Sequence, residues 1–339
     1  MSGELLTARP PEVNVGEAPM FSVRDLRIGI GNMSIVDGLS LEVRRGELLA
    51  LVGESGCGKS MTALAMANLL PRAVEKLSGD IMLDGVDLGR LDAAEMRRVR
   101  GRDLAMIFQE PAASLNPLKK IGHQVMERLL IHDRLTKQQA FERALAMLED
   151  VGISRPALRF EQFPFELSGG MCQRVMIAMA LISQPKLLIA DEPTTALDVT
   201  IQAQILDLLL DLRKRMGTAM VFITHDMGVV AQIADRVCVM YAGRIVEQGD
   251  VTDIFRSPRH PYTKLLFATM PGLSGARKTR LRTIEGNVPA LHEWPNGCAF
   301  RTRCPLATDR CLHQPPLARM SEPRHAAACW HSEQVESLI

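Results

Sequence analysis

Short apolar runs alternate with longer segments of mixed polarity along most of the chain. The runs are almost wholly apolar, which is typical of strands that are buried on both faces of a sheet. They cover residues 48–52, 104–108, 186–190 and 219–224. The segments expected to be helical are residues 61–70, 91–100, 137–151, 172–183 and 200–216. This alternation predicts an α/β fold with parallel strands at its centre.

The two flanks of this pattern differ from the centre. Residues 1–19 contain prolines and no hydrophobic period, so we expect a flexible leader there. Between Phe21 and Val43, β-prone residues interrupted by glycines predict two strands of an antiparallel edge. Further short strands are expected at residues 80–85, 236–241 and 244–247.

Residues 53–60 fit the phosphate-binding pattern G-x-x-x-x-G-K-[ST] at every fixed position. They are Gly53, Glu54, Ser55, Gly56, Cys57, Gly58, Lys59 and Ser60. The glycines let the backbone turn tightly and point successive N–H groups at phosphate oxygens. Lys59 is expected to reach the β- and γ-phosphates, and Ser60 to bind Mg²⁺. The alternative is a glycine-rich turn without a ligand, but the strand before the loop and the helix after it favour a site for ATP and Mg²⁺.

Polar side chains follow three of the apolar runs. Neighbouring residues on a strand point apart, so Asp191 and Glu192 can take different roles. Asp191 is expected to bind Mg²⁺, and Glu192 to polarise the water that attacks the γ-phosphate. Gln109 offers an amide to Mg²⁺ or to water, and His225 offers a hydrogen bond to the transferring phosphoryl group. Alone, each of the last two is more often a solvated or capping residue, so its functional interpretation depends on the whole set.

Charge and hydropathy argue against several other classes of protein. Lys and Arg number 40 against 39 Asp and Glu, and the net charge of +1 disfavours a general nucleic-acid binder. No run approaches the roughly 18 apolar residues of a membrane-spanning helix, and the N-terminus lacks the order of a signal peptide. We therefore expect a cytosolic protein that can lie against a membrane protein.

In order and spacing, these motifs resemble those of the ATPase subunits of ABC transporters, over roughly residues 20–260. The elements that carry the resemblance are Gly53–Ser60, Gln109, Leu167-Ser-Gly-Gly-Met171, Leu187–Glu192, Thr195-Ala-Leu-Asp198 and His225. The chain is more narrowly similar to the oligopeptide, dipeptide and nickel importer branch. The marks of that branch are Phe108-Gln-Glu-Pro, Ser114-Leu-Asn-Pro117, Met171-Cys-Gln-Arg-Val and His260-Pro-Tyr-Thr263.

The resemblance implies a domain organisation. A P-loop ABC ATPase domain with a RecA-like core and an antiparallel β edge is expected over residues 20–255. It would include a helical subdomain at about residues 112–182. A peptide-importer-type extension with a cysteine cluster would follow over residues 256–339.

The resemblance also implies partners. Two such subunits face head to tail in this family, so Ser168, Gly169 and Gly170 of one subunit would cover ATP on the other, and Asp198 would organise the opposite site. The second ATPase subunit is a paralogue by family habit. Two membrane-spanning permease subunits and an extracytoplasmic solute-binding protein complete the expected assembly, which involves no nucleic acid. This chain would then lie on the cytoplasmic face of the inner membrane.

Adenine binding departs from the family pattern. ABC ATPases commonly stack an aromatic side chain on adenine from a loop upstream of the phosphate loop, and residues 26–33 contain no aromatic residue. The contact is expected from aliphatic groups such as Ile30 or Val36.

Four of the seven cysteines crowd into the C-terminal part of the chain, at Cys298, Cys304, Cys311 and Cys329. Four thiolates can hold Zn²⁺ or an iron–sulphur cluster, although this spacing fits neither common zinc modules nor the ferredoxin run. Resemblance to the peptide-importer branch favours a [4Fe-4S] cluster with a structural or regulatory part. Free cysteines in a small packed tail are the alternative.

The function implied by the resemblance is ATP hydrolysis that energises the import of di- or oligopeptides. The first alternative is the same motor driving nickel or another metal chelate, because that branch shares the Met-containing signature. The second is a soluble ABC ATPase that acts on DNA or ribosomes. Such proteins usually carry two nucleotide domains or a long coiled coil, and the sequence indicates neither.

Overall fold

The computed structural model describes residues 18–133, 135–195, 198–270, 283–320 and 324–338. The leader expected over residues 1–19 lies almost wholly outside the described residues. Ala196 and Leu197 of the Thr195–Asp198 element lie outside them as well.

The strands fall into a small antiparallel group near the N-terminus and a larger group spread over the rest of the chain. They are β1 (Phe21–Ile30), β2 (Met33–Val43), β3 (Leu48–Val52), β4 (Glu75–Leu83), β5 (Val86–Asp87), β6 (Leu104–Ile107), β7 (Leu187–Asp191), β8 (Ala219–Thr224), β9 (Arg236–Tyr241), β10 (Arg244–Asp250), β11 (Ala318–Arg319) and β12 (Ala326–Ala327).

Helices connect most of these strands, and short 3₁₀ turns add to them. The α-helices are α1 (Lys59–Met66), α2 (Ala93–Arg102), α3 (Pro111–Ser114), α4 (Ile121–His132), α5 (Lys137–Asp150), α6 (Pro156–Phe160), α7 (Gly169–Leu181), α8 (Val199–Met216), α9 (Met227–Ile233), α10 (Val251–Arg256) and α11 (Pro261–Ala268). None of these helices combines the length and the apolar composition that crossing a membrane requires, within the described ranges.

The larger sheet has the strand order β11-β12-β10-β9-β3-β8-β7-β6. Its strands β9, β3, β8, β7 and β6 are parallel, whereas β10 runs antiparallel to β9 and β12. Val52 pairs with Thr224, and Asp191 pairs with Ile223, so β3, β7 and β8 end at the same level. The loops that follow these strands therefore meet at one edge of the sheet, where ligands bind in α/β folds.

The central strand β3 is buried on both faces. Leu48 and Val52 belong to a core shared with α4, α5 and α7, whereas Leu49 and Leu51 belong to a core shared with α1 and the small sheet of order β2-β1-β4-β5. Successive strand residues point to opposite faces, so one apolar run serves both cores. The residues after Val52 thus start from a rigid base.

Helices α4, α5 and α7 pack against one another beside this sheet. Helix α4 also packs against α6, and this contact is close at Gly122, where a Cβ atom would lie only 1.9 Å from the ring of buried Phe160 of α6. Thr136 caps α5, since its Oγ1 accepts the N–H of Gln139 at 3.3 Å while the Gln139 side chain accepts the N–H of Thr136. This helical layer positions α7, which begins in the Leu167–Met171 segment.

The elements agree with the predicted α/β order and differ from it in detail. Helix α1 ends at Met66 and not at Leu70, because Asn68 adopts a left-handed backbone with φ 52°. Residues 109–117, which follow β6, contain the short helix α3. Strand β4 begins at Glu75, earlier than expected. The sequence did not predict β11 and β12, which pair with each other, and β12 pairs with β10, which extends the large sheet.

Candidate functional site

Residues 53–58 form a tight loop between β3 and α1, as the sequence predicts, and Lys59 and Ser60 are the first residues of α1. Gly53 approaches the neighbouring strand so closely that a Cβ atom would lie 2.2 Å from the carbonyl oxygen of Met240. Gly58 precedes α1 with φ 104°, a conformation that L side chains rarely adopt. Glycine is therefore required at both positions by the path of the backbone.

Lys59 is folded back into the loop. Its Nζ donates to the carbonyl oxygens of Gly53 at 2.8 Å and Glu54 at 3.0 Å, and the side chain is buried. Cys57 is also part of the loop. Its side chain is fully buried, and burial raises the pKa of its thiol. The loop thus encloses one cation and no ionised thiol, which suits it to an anionic ligand.

The hydroxyl of Ser60 meets the carboxylate of Asp191, which ends β7. Ser60 Oγ donates to Asp191 Oδ1 at 3.2 Å. Burial raises the pKa of Asp191, because desolvation disfavours its charged form. A divalent cation would compensate that cost, and hydroxyl and carboxylate oxygens are ligands that Mg²⁺ prefers. These residues, with the amide of Gln109 nearby, fit a magnesium ion.

Glu192 links the other predicted catalytic side chains. Its Oε2 accepts hydrogen bonds from Thr195 Oγ1 at 2.8 Å and from Gln109 Nε2 at 3.4 Å. Its Oε1 lies 3.4 Å from His225 Nδ1. The backbone of Glu192 is left-handed, with φ 46°, and such strain is common at functional sites. The structure therefore brings Gln109, Glu192 and His225 together, and it adds Thr195, to which sequence reasoning gave no role.

A cavity of about 590 Å³ lies beside Gln109, Glu192 and His225. Its lining residues are Ile35, Gly53, Glu54, Ser55, Gly56, Gly58, Lys59, Ser60, Met61, Gln109, Glu192, His225 and Leu266. The volume lies within the range of small-molecule sites. Val36, expected to contact adenine, is fully buried, and Ile30 is not part of the lining. The aliphatic side chains at the cavity are Ile35 and Leu266. Leu266 lies on α11, and the sequence motifs did not predict that α11 contributes to the nucleotide site.

The residues expected to act on a second subunit do not line this cavity. Ser168 caps α7, because its Oγ accepts the N–H of Met171 at 3.4 Å, and Gly169 next to it is exposed. The carboxylate of Asp198 accepts the N–H of Ile201 at 3.0 Å and caps α8. Gly170 follows at the start of α7, where an added Cβ would lie 3.4 Å from Cγ2 of Ile201. Within one chain, these residues form two helix N-termini that are accessible from outside.

The four C-terminal cysteines lie in one region of the structure. The N–H of Cys298 donates to the carbonyl of Cys311 at 3.0 Å. Burial raises the pKa of Cys304 to about 11 and that of Cys329 to about 12. Within the described residues, no three His, Cys, Asp or Glu side chains are arranged to hold a metal ion. The structure therefore gives no support to Zn²⁺ or an iron–sulphur cluster at Cys298, Cys304, Cys311 and Cys329.

A phosphate loop, an acid pair and a histidine at one edge of a parallel sheet define a P-loop nucleoside triphosphatase. Two family models match the chain: "ABC transporter" over residues 36–195, and "Oligopeptide/dipeptide transporter, C-terminal region" over residues 246–311. The chain belongs to the ATP-hydrolysing, ATP-binding proteins of ABC transporters, which confirms the resemblance seen in the motifs.

Similar proteins cover nearly the whole chain. The probable peptide ABC transporter ATP-binding protein y4tR of Sinorhizobium fredii is 51% identical over 94% of this chain and 97% of its own length. The oligopeptide transport ATP-binding protein OppD of Bacillus subtilis is 49% identical over 92% of this chain and 88% of its own. The dipeptide transport ATP-binding protein DppD of Escherichia coli is 45% identical over 91% and 96%.

Solved structures resemble the ATPase part. The dimeric ATP-binding cassette MJ0796 in a post-hydrolysis state, bound to ADP and Pi, superposes with a TM-score of 0.62 at 26% identity. It covers 68% of this chain and 99% of its own.

Proposed function

We propose that this protein binds and hydrolyses ATP to energise an ABC importer of di- or oligopeptides. The observation that carries the proposal is the match of residues 246–311 to the C-terminal region of oligopeptide and dipeptide transporters, in a chain that shares 45–51% identity with peptide-transport ATP-binding proteins along most of its length. The nickel alternative has no such support, and neither has the soluble ATPase acting on DNA or ribosomes.

The site supports a division of roles among its residues. The N–H groups of residues 56–60 and the Lys59 ammonium would bind the phosphates. Ser60, Asp191 and Gln109 would hold Mg²⁺, which when bound neutralises charge on the phosphate oxygens. Glu192 would orient the attacking water and accept its proton. Its carboxylate already accepts a hydrogen bond from the Thr195 hydroxyl, and Glu192 lines the cavity.

His225 and Gln109 contact Glu192 from two sides. The His225 side chain is 63% exposed, so it remains accessible to a nucleotide. It would donate a hydrogen bond to the transferring phosphoryl group. Gln109 lies two residues after the end of β6. When Glu192 and the nucleotide change their contacts, the loop that begins at Gln109 would pass this movement to other subunits.

The exposed helix N-termini support a two-subunit site. Ser168, Gly169 and Gly170 would close over ATP bound to a second ATPase subunit, and Asp198 would help to organise that site. We infer that the second subunit is a paralogue. The assembly would contain two membrane-spanning permease subunits and an extracytoplasmic solute-binding protein, and this chain would lie on the cytoplasmic face of the inner membrane.

The proposed division of the chain follows the same assignment. Residues 20–255 would form the ATPase domain, with a helical subdomain at about 112–182, and residues 256–339 would form the extension.

The iron–sulphur cluster proposed for the four C-terminal cysteines has less support, because no three His, Cys, Asp or Glu side chains among the described residues are arranged to hold a metal ion. Iron and sulphide content of anaerobically purified protein tests it. About four iron atoms per chain would establish a cluster, and none would leave the cysteines as packed thiols.

Uptake of a labelled dipeptide tests the proposed function. Cells would carry either the wild type, Glu192→Gln, or Glu142→Gln, an exposed carboxylate change on α5 that serves as the matched control. A nickel isotope would be measured in parallel. We expect peptide uptake to fall with Glu192→Gln alone, and nickel uptake to stay unchanged. Loss of nickel uptake instead would favour the metal importer, and unchanged uptake of both would refute a transport role.

A further inference from the structure

The phosphate loop is held from outside by the C-terminal part of the chain. The contact is made at Glu54, a variable position of the loop motif. The N–H of Glu54 donates to Tyr262 Oη of α11 at 2.8 Å. The carboxylate of Glu54 accepts both terminal nitrogens of Arg303, at 2.7 and 3.0 Å. Two parallel charge-assisted bonds of this kind are the strongest and most directional that arginine makes.

The Arg303 side chain is held by other residues of the structure as well as by Glu54. Its side chain is only 4% exposed. Its Nε donates to the carbonyl of Glu285 at 2.9 Å, and its guanidinium lies 5.9 Å from the ring centroids of Tyr241 and Phe300. A guanidinium so removed from water needs its carboxylate partner, since an unpaired buried charge is costly. The pair therefore resists separation.

Glu54 transmits this restraint to the phosphate-binding lysine. The carbonyl oxygen of Glu54 accepts Lys59 Nζ at 3.0 Å. Residue 54 is thus bonded at its N–H, its carbonyl and its carboxylate, and two of these three contacts come from the extension. Leu266, which also belongs to α11, lines the same cavity. A loop held in one shape before the nucleotide arrives loses less conformational entropy on binding.

We infer that Arg303 is a positioning residue of the nucleotide site: through Glu54 it holds the phosphate loop in its binding shape and couples the C-terminal extension to ATP affinity. This inference rests on the proposed nucleotide site. Coupling of this kind is reciprocal, so ATP must also stabilise the segment that carries Arg303.

ATP titration of the full purified chain by calorimetry tests the inference. The variants are Glu54→Gln, Arg303→Met and the double variant. Arg301→Met is the matched control, because Arg301 lies in the 3₁₀ turn Ala299–Thr302, which ends next to Arg303, and its Nε donates to the carbonyl of Asn296 at 3.0 Å and not to Glu54. We expect each single change to weaken ATP binding by about tenfold, within the usual range of coupling between sites. The double variant should bind no more weakly than either single variant, and Arg301→Met should bind like the wild type.

Two results would overturn the inference. One is unchanged affinity in both single variants. The other is a double variant weakened by the product of the single effects, since Arg303 would then act only through the stability of its own segment. The double variant guards against destabilisation of the extension, because it removes the buried guanidinium together with its carboxylate partner. A wild type that binds no ATP would instead refute the proposed function itself.

Amide hydrogen exchange is a second measurement. A purely structural role of Arg303 would not make the exchange of its segment depend on ATP. In the wild type, ATP should slow exchange in residues 298–304 relative to the same protein without ATP, and in Glu54→Gln this ATP-dependent difference should disappear. Exchange in this segment that does not respond to ATP in the wild type would refute the coupling.

Discussion

Acidification should weaken the docking of α11 through His260. This residue is 1% exposed, and its Nδ1 accepts the N–H of Tyr262 at 3.1 Å, which caps α11. Burial lowers the pKa of His260 to about 3, because desolvation disfavours the imidazolium. The folded protein therefore holds this ring neutral throughout the range in which an exposed histidine takes up a proton.

The size of the effect follows from this shift. In the unfolded chain the pKa of a histidine is about 6.5. Below that pH the unfolded state binds a proton that the folded state does not bind until pH falls to about 3. Stability is thus lost as pH falls through this window. Between pH 7.5 and pH 5.5, the free energy of unfolding should fall by about 1.4 kcal/mol on account of His260 alone.

Urea unfolding of the wild type and His260→Asn at the two pH values measures this contribution. Asparagine keeps a capping acceptor and cannot titrate. We expect the difference in free energy of unfolding between wild type and variant to change by about 1.4 kcal/mol from pH 7.5 to pH 5.5. His292→Asn, at a side chain that is 72% exposed, should show no such change. Equal pH dependence in the wild type and His260→Asn would refute the reasoning.

Three further changes have expected outcomes. Gly122→Ala should cost about 1–3 kcal/mol in urea unfolding, because its Cβ would overlap the ring of Phe160; equal stability would show that the ring moves aside. Glu247→Ala should cost about 3–5 kcal/mol by the same assay, because the fully buried carboxylate accepts the N–H of Arg259 and bonds His325 at 2.7 Å. Asp191→Asn should raise the thermal midpoint without nucleotide at neutral pH, because burial raises the pKa of Asp191. That gain should shrink as pH falls and Asp191 takes up a proton, and a gain that grows would contradict the sign.

The sequence predicts those features that depend on neighbouring residues. Residues 53–60 carry their own geometry, since the glycines and the flanking apolar run specify a strand, a turn and a helix within about 20 residues. Asp191, Glu192 and His225 could be assigned because each follows an apolar run, and parallel strands end at one edge of the sheet.

Features that join distant segments could not be predicted in this way. Arg303 lies 249 residues from Glu54, and no periodic pattern relates the two. Strands β11 and β12 have two residues each, too few to show an alternation of polar and apolar positions. The cysteine spacing is compatible with a ligand set, but the distances between the thiols depend on how the 3₁₀ turns around them pack.

The role of Glu192 is the most direct test of the account. ATP binding would be measured on the purified chain, and phosphate release in membranes that carry the assembled importer, for the wild type, Glu192→Gln and Lys59→Ala. We expect Glu192→Gln to bind ATP like the wild type and to release no phosphate above background, whereas Lys59→Ala should bind no ATP. Normal phosphate release by Glu192→Gln, or wild-type affinity in Lys59→Ala, would contradict the assignment of this sheet edge as the site of ATP hydrolysis.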